Sequence, residues 1–134
     1  MVGTANTLPI LVVDDDRNFC TVVAKILRMR HYQVDVAYDG FSALELVEHT
    51  PYALALIDYR MPGMNGVDLY GRIRKLRPEV VGVFLTGFAT IDTVYPAIQV
   101  GVQRVLAKPA SFDELIEVVE EFVGRPSPHE EVSS

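Results

Sequence analysis

The chain has 134 residues, 49% of them apolar and 22% charged, a balance that fits one globular domain and excludes a disordered chain. Its net charge of −6 excludes the basic footprint that autonomous nucleic-acid binding needs. No apolar run reads as a membrane span or signal peptide. The lone Cys20 excludes an internal disulfide, suits a reducing cytoplasm and reads as buried filler in an apolar helical stripe.

Residues 1–7 form a small polar lead-in before a strand over Leu8 to Val13. Phe19, Val22, Val23, Ile26 and Leu27 then recur at helical spacing, predicting a helix that ends near Arg30. Gln33 to Tyr38 alternates as a strand, and Asp39-Gly40 turns into a helix over Phe41 to His49. Pro51 leads into the strand Tyr52 to Asp58, and the loop Met61 to Gly66 follows. Val67, Leu69, Tyr70, Ile73 and Leu76 mark a third helix stopped by Pro78; Val80 to Leu85 is a fourth strand.

The next helix spans Thr90 to about Val100 and is closed by Gly101. Pro96 conflicts with it, because an interior proline loses an N–H bond and crowds the carbonyl of Asp92, costing about 3 kcal/mol. Residues 88 to 95 are therefore expected to be irregular or kinked, with the helix proper starting near Pro96. Arg104 to Ala107 is the fifth strand, and Ser111 with Glu114 forms a capping box for a last helix. Residues 125–134 lack periodicity and read as a flexible tail or linker, with no output domain after them. The acidic residues near that end read as a solvated face.

Five apolar strands alternating with helices predict an α/β fold: a doubly wound parallel sheet covered on both faces, with the domain at residues 8–124. Polar groups stand at four strand ends: Asp14-Asp15, Asp58, Thr86 and Lys108. If they belong to one site, strands one, three, four and five lie side by side, as the order 2-1-3-4-5 provides. Each has a plain structural alternative. Asp14 or Asp15 could cap the first helix, Asp58 could serve an Asx-turn, Thr86 could be a strand-end hydroxyl and Lys108 an exposed lysine.

Carboxylates converging within about 5 Å repel by roughly 3 kcal/mol per pair at an effective dielectric near 20. Protonation of one, or a hard divalent cation, removes that repulsion. A cation site beside a carboxylate, a hydroxyl and an ammonium describes phosphoryl chemistry, with Asp58 as the attacking group.

The motifs Ile10-Leu-Val-Val-Asp-Asp-Asp16, Leu56-Ile-Asp-Tyr-Arg-Met-Pro-Gly-Met-Asn-Gly66, Leu85-Thr-Gly87 and Ala107-Lys-Pro109 resemble those of two-component response regulator receiver domains. The resemblance covers about residues 8 to 124 and implies the flavodoxin-like 2-1-3-4-5 sheet, whose worked example in general treatments of this order includes such a receiver. It also implies that Asp58 accepts phosphate from a histidine kinase or a histidine phosphotransfer domain. Asp14, Asp15, Asp58 and the backbone carbonyl of Arg60 would hold Mg²⁺ or Mn²⁺. Thr86 and Lys108 would contact the phosphoryl oxygens, and the Lys108–Pro109 bond would be cis. Function would be that of a cytoplasmic phosphoacceptor, not a turnover enzyme. Its reporting surface, for an output domain, a partner or a second copy, would be helix four, strand five and helix five, including Gln99, Arg104 and Asp113.

The chain departs from the resemblance at Val105, where receivers usually carry an aromatic that moves with the threonine. Val105 and Pro96 together suggest an altered output face. Arg60 and Phe88 stand two residues beyond Asp58 and Thr86, where they would overhang a phosphoryl group and tune its lifetime. Two rival readings are a haloacid-dehalogenase-like phosphatase using Asp14 and Asp16, and a receiver that docks without phosphorylation. The first leaves Asp58 and the Met61 to Gly66 loop unexplained.

Overall fold

The computed structural model describes residues 8–87 and 91–126. Its elements are β1 (Ile10–Val13), α1 (Arg17–Met29), β2 (Val34–Ala37), α2 (Gly40–His49), β3 (Leu54–Asp58), α3 (Gly66–Leu76), β4 (Val81–Thr86), α4 (Ile91–Val100), β5 (Arg104–Ala107) and α5 (Phe112–Val123). The strands form one parallel sheet in the order β2-β1-β3-β4-β5. This is the predicted fold. The crossover direction reverses between β1 and β3, so the carboxyl ends of those strands open onto one crevice.

Every residue of β1 and β3 is buried, because helices cover both faces of the sheet. Ile10, Val12, Leu54, Leu56, Val83 and Leu85 face α1 and α5, meeting Val23, Leu27, Leu115 and Val119. Leu11, Val13, Ala55, Ile57 and Phe84 face the other way, against Ala43 and Val47 of α2, Leu69 and Ile73 of α3, and Ala97 of α4. Each fully buried Val, Leu, Ile or Phe among them stabilises the fold by roughly 1.5–3 kcal/mol, and each alanine by less.

Local chemistry sets the helix ends. Asp16, Asp39, Asn65 and Ser111 each accept a backbone N–H as N-caps, and Ser111 with Glu114 forms the expected capping box. The cap of α1 is thus Asp16, and neither Asp14 nor Asp15 is used for that purpose. At the far end of α1, His31 takes φ 75°, and its N–H and that of Tyr32 close on Arg28 and Leu27 carbonyls. That is a Schellman turn built on a non-glycine residue.

The expected irregular run over residues 88 to 95 and the helix start near Pro96 are corrected from residue 91 onward. Helix α4 runs from Ile91 through Val100 with Pro96 inside it; residues 88–90, and so Phe88, lie outside the described residues. The proline penalty is outweighed by what holds the second half of the helix. Ala97 is fully buried, and the Arg74 guanidinium of α3 donates to the Val100 carbonyl at 3.0 Å. Gly101, at φ 97°, closes the end with its own N–H and that of Val102 on the carbonyls of Ile98 and Ala97. Pro96 therefore removes an interior N–H bond from a helix whose carboxyl end is anchored.

Candidate functional site

The polar strand ends meet at the carboxyl edge of the sheet. β1 and β3 are neighbours in register, Val13 opposite Ile57, which brings Asp14 alongside Asp58. Asp58 pairs with Leu85 across β3–β4, and the Lys108 N–H donates to the Thr86 carbonyl at 2.8 Å, carrying the lysine to the same crevice. Carboxylate oxygens of Asp14, Asp15 and Asp58 all lie within 4.8 Å of one another. Asp14, Asp58 and Thr86 are buried, whereas Asp15 is exposed. Among the described residues this is the one acidic group close enough to hold a cation.

Lys108 Nζ donates to Asp14 Oδ2 at 2.8 Å and to Asp58 Oδ1 at 3.2 Å. One ammonium therefore serves two buried carboxylates. The other Asp14 oxygen, Oδ1, accepts the Asp16 N–H at 3.0 Å, so Asp14 is fixed at both ends. Burial, then the charge of Asp14, pushes the Asp58 carboxyl up to about 6, although the charge and hydrogen bond of Lys108 pull it down. Burial works against the Lys108 charge, yet its hydrogen bonds and attraction to Asp14 and Asp58 hold it above its usual value. A pocket with more negative than positive charge, partly out of water, fits a hard divalent cation with oxygen ligands.

The loop after β3 is seated by packing. Met61 and Met64 are buried in the second core, and Met64 lies over Gly40, where a Cβ would fall 2.8 Å from its Sδ. Gly66 sits so close to the strand end that a Cβ would lie 3.0 Å from the Asp58 carbonyl oxygen and 3.1 Å from Tyr59 Cα. Its N–H donates to the Tyr59 carbonyl at 2.9 Å. The glycine at the end of the Met-Pro-Gly-Met-Asn-Gly motif is thus demanded by close approach rather than by a turn. Arg60 is exposed at the start of this loop.

The Lys108–Pro109 peptide is cis, as the resemblance implied. Val105 is half-buried and pairs with Phe84, whose ring takes edge contacts from Tyr59 at 5.8 Å and Tyr70 at 6.4 Å. Arg104 points from β5 to α5, with its Nη2 2.8 Å from each Glu121 carboxylate oxygen. Asp16 caps α1, one of its carboxylate oxygens accepting the Phe19 N–H at 3.1 Å.

Sequence reasoning missed two neighbours of the site. Cys20 is buried as expected, but its thiol also donates to the Asp14 carbonyl at 3.3 Å. Burial and the Asp14 charge push that thiol up to about 12, so it stays protonated. Phe19 read only as part of a helical stripe, yet the Lys108 ammonium lies 4.9 Å from its ring centroid. Nothing in helical periodicity distinguishes a ring that meets a cation from one that meets the core.

Comparisons with known proteins converge. The profile of the response regulator receiver domain matches residues 10–120. The transcriptional regulatory protein ZraR of Salmonella typhimurium is 37% identical over 113 residues, 84% of this chain and 26% of that protein. The photosynthetic apparatus regulatory protein RegA of Rhodobacter capsulatus is 33% identical over 106 residues, 79% of this chain and 58% of that one. A CheY-like receiver domain protein from Methanospirillum hungatei JF-1 superimposes with a TM-score of 0.84 at 27% identity, covering 96% of this chain and all of that one. The chain thus spans about a quarter of the ZraR length and somewhat over half of RegA.

Proposed function

The chain belongs to the response regulator receiver domain family, and from that premise we propose that Asp58 is its phosphoacceptor, charged by the phosphohistidine of a histidine kinase or phosphotransfer domain. An Asp58 carboxylate oxygen attacks phosphorus, the P–N bond breaks, and the departing imidazole takes up a proton. The observation that carries this reading is Lys108 Nζ, held between Asp14 and Asp58 at 2.8 and 3.2 Å. An ammonium so placed meets the negative charge on the transferred group while Asp58 remains beside it. The Thr86 hydroxyl, at the adjacent strand end, donates to a phosphoryl oxygen. Arg60 and Phe88 would govern how long the acyl phosphate survives.

The convergence of Asp14, Asp15 and Asp58 within 4.8 Å fits Mg²⁺ or Mn²⁺, with the Arg60 carbonyl as a further ligand. The ion supplies charge neutralisation for the phosphoryl oxygens. The protein acts as a signalling phosphoacceptor rather than a turnover enzyme, and its place is the cytoplasm. No helix among the described residues is long and apolar enough to cross a membrane.

Phosphorylation would shift a conformational equilibrium by the difference in affinity of the two states for the phosphoryl group, and by no more. The face of α4, β5 and α5, with Gln99, Arg104 and Asp113, reports to an output domain, a partner or a second copy. With Val105 at the usual aromatic position, this output cannot depend on a ring there. Direct nucleic-acid contact is left to other parts of a regulator, as the −6 charge suits.

Incubation with a small acyl-phosphate donor and Mg²⁺, followed by intact mass and peptide mapping, tests the assignment. One phosphoryl group on Asp58, absent from Asp58→Asn, is the expected result. Label on Asp14, or none on the wild type, would overturn it.

A further inference from the structure

We propose that Phe19 is a positioning residue for Lys108, its ring face restraining the ammonium where it can meet a phosphoryl group; this rests on the reading of Asp58 as phosphoacceptor. Lys108 ends a flexible stem with several rotatable bonds, and only its hydrogen bonds and its surroundings select one arrangement. The ammonium lies 4.9 Å from the Phe19 centroid, inside the range of cation–π attraction, while donating to Asp14 and Asp58. An aromatic face attracts the charge without requiring a directed N–H. The ammonium's donors remain available to oxygen acceptors.

The ring is placed by the same residues that fix Asp14. Asp14 Oδ1 accepts the Asp16 N–H, Asp16 Oδ1 accepts the Phe19 N–H, and the Cys20 thiol donates to the Asp14 carbonyl. The junction between β1 and α1 therefore ties the Asp14 carboxylate to the backbone of Phe19, and Lys108 reaches both from just beyond β5. The Lys108 side chain retains 26% of its exposure, so the cation is partly withdrawn from water and the ring counts for more than at an open surface. When a phosphoryl oxygen draws the ammonium away from Asp14, the ring remains beside it. An aliphatic residue at position 19 would fill the space and lack the attraction.

Four variants separate positioning from packing: Phe19→Leu, Phe19→Tyr, Lys108→Ala, and Phe19→Leu combined with Lys108→Ala. Two readouts apply, the rate of Asp58 labelling by a small acyl phosphate and the proton shifts of the lysine ε-methylene groups. A ring beneath Lys108 moves its ε-protons upfield relative to those of Lys25 and Lys75. Phe19→Leu is expected to abolish that displacement and slow labelling roughly two- to fivefold, with Phe19→Tyr restoring both. In the Lys108→Ala background, Phe19→Leu is expected to cause no further slowing. Equal rates and shifts for the Leu and Tyr variants, or an undiminished effect without Lys108, would overturn the positioning role. Absence of Asp58 label on the wild type would overturn the phosphoacceptor reading and this role with it, whereas a labelled wild type with indifferent Phe19 variants would sink this role alone.

Discussion

At the amino-terminal end of the sheet, tyrosine hydroxyls meet oxygens one to one: Tyr32 with the Gly124 carbonyl, Tyr70 with the Val80 carbonyl and Tyr52 with Asp35 Oδ2, each at 2.6 Å. At the carboxyl end, three carboxylates converge and the Lys108 ammonium donates to two of them. Mostly neutral bonds of the first kind each contribute about 1 kcal/mol net and vary little with pH near neutrality. The second arrangement leaves uncompensated negative charge partly out of water, which makes it sensitive to protons and suits it to the proposed cation and phosphoryl group. One end holds the fold, and the other is kept sensitive.

The largest test of that contrast is Lys108→Ala. Removing the ammonium leaves Asp14 and Asp58 buried against each other, and urea unfolding at neutral pH without divalent cations should show a loss of about 2–3 kcal/mol. Unchanged stability would mean that the carboxylates are solvated enough to need no counter-charge. Asp58→Asn should move the other way, stabilising the metal-free protein by about 1–3 kcal/mol near pH 7 while removing the proposed phosphoacceptor. At the opposite end, Tyr70→Phe should cost about 1–2 kcal/mol by leaving the Val80 carbonyl without its hydroxyl. Its cost should be the same at pH 5 and pH 7, to within about 0.3 kcal/mol. His31→Gly should give the smallest effect, a gain of about 0.5 kcal/mol in thermal unfolding, because glycine adopts the positive φ of that turn more readily.

Much of this was legible before the structure. Strand order followed from requiring Asp14, Asp58, Thr86 and Lys108 to share one crevice, and the strands sit within a residue or two of their predicted ends. The helix caps at Ser111 and Gly101 were readable because capping depends on local residue chemistry. What escaped were effects that exist only between elements. Local rules placed the helix start near Pro96, but α4 already runs from Ile91, with Ala97 buried and the Arg74–Val100 bond beyond the proline. The duty of Asp16 rather than Asp14 or Asp15 as cap was ambiguous among three consecutive aspartates. Phe19 carried no mark of its cation, since Lys108 lies far away in sequence. The closeness of Gly66 to the Asp58 carbonyl was likewise hidden by a motif that also reads as a simple turn.

The contrast between the two ends is tested most directly by the pH dependence of stability in wild type and Asp58→Asn, with and without Mg²⁺. The Asp58 carboxyl sits at about 6 in the fold against an ordinary 3.8, so the folded state holds its proton more tightly than the unfolded chain. That advantage is present in acid and is lost as pH rises through the window between those values. Without Mg²⁺, wild type should therefore lose about 1–3 kcal/mol relative to Asp58→Asn between about pH 4 and pH 7. Saturating Mg²⁺ should restore much of it in wild type and little in the variant. Parallel pH curves for the two proteins, or equal responses to Mg²⁺, would contradict the claim that Asp58 stands in a site kept short of positive charge.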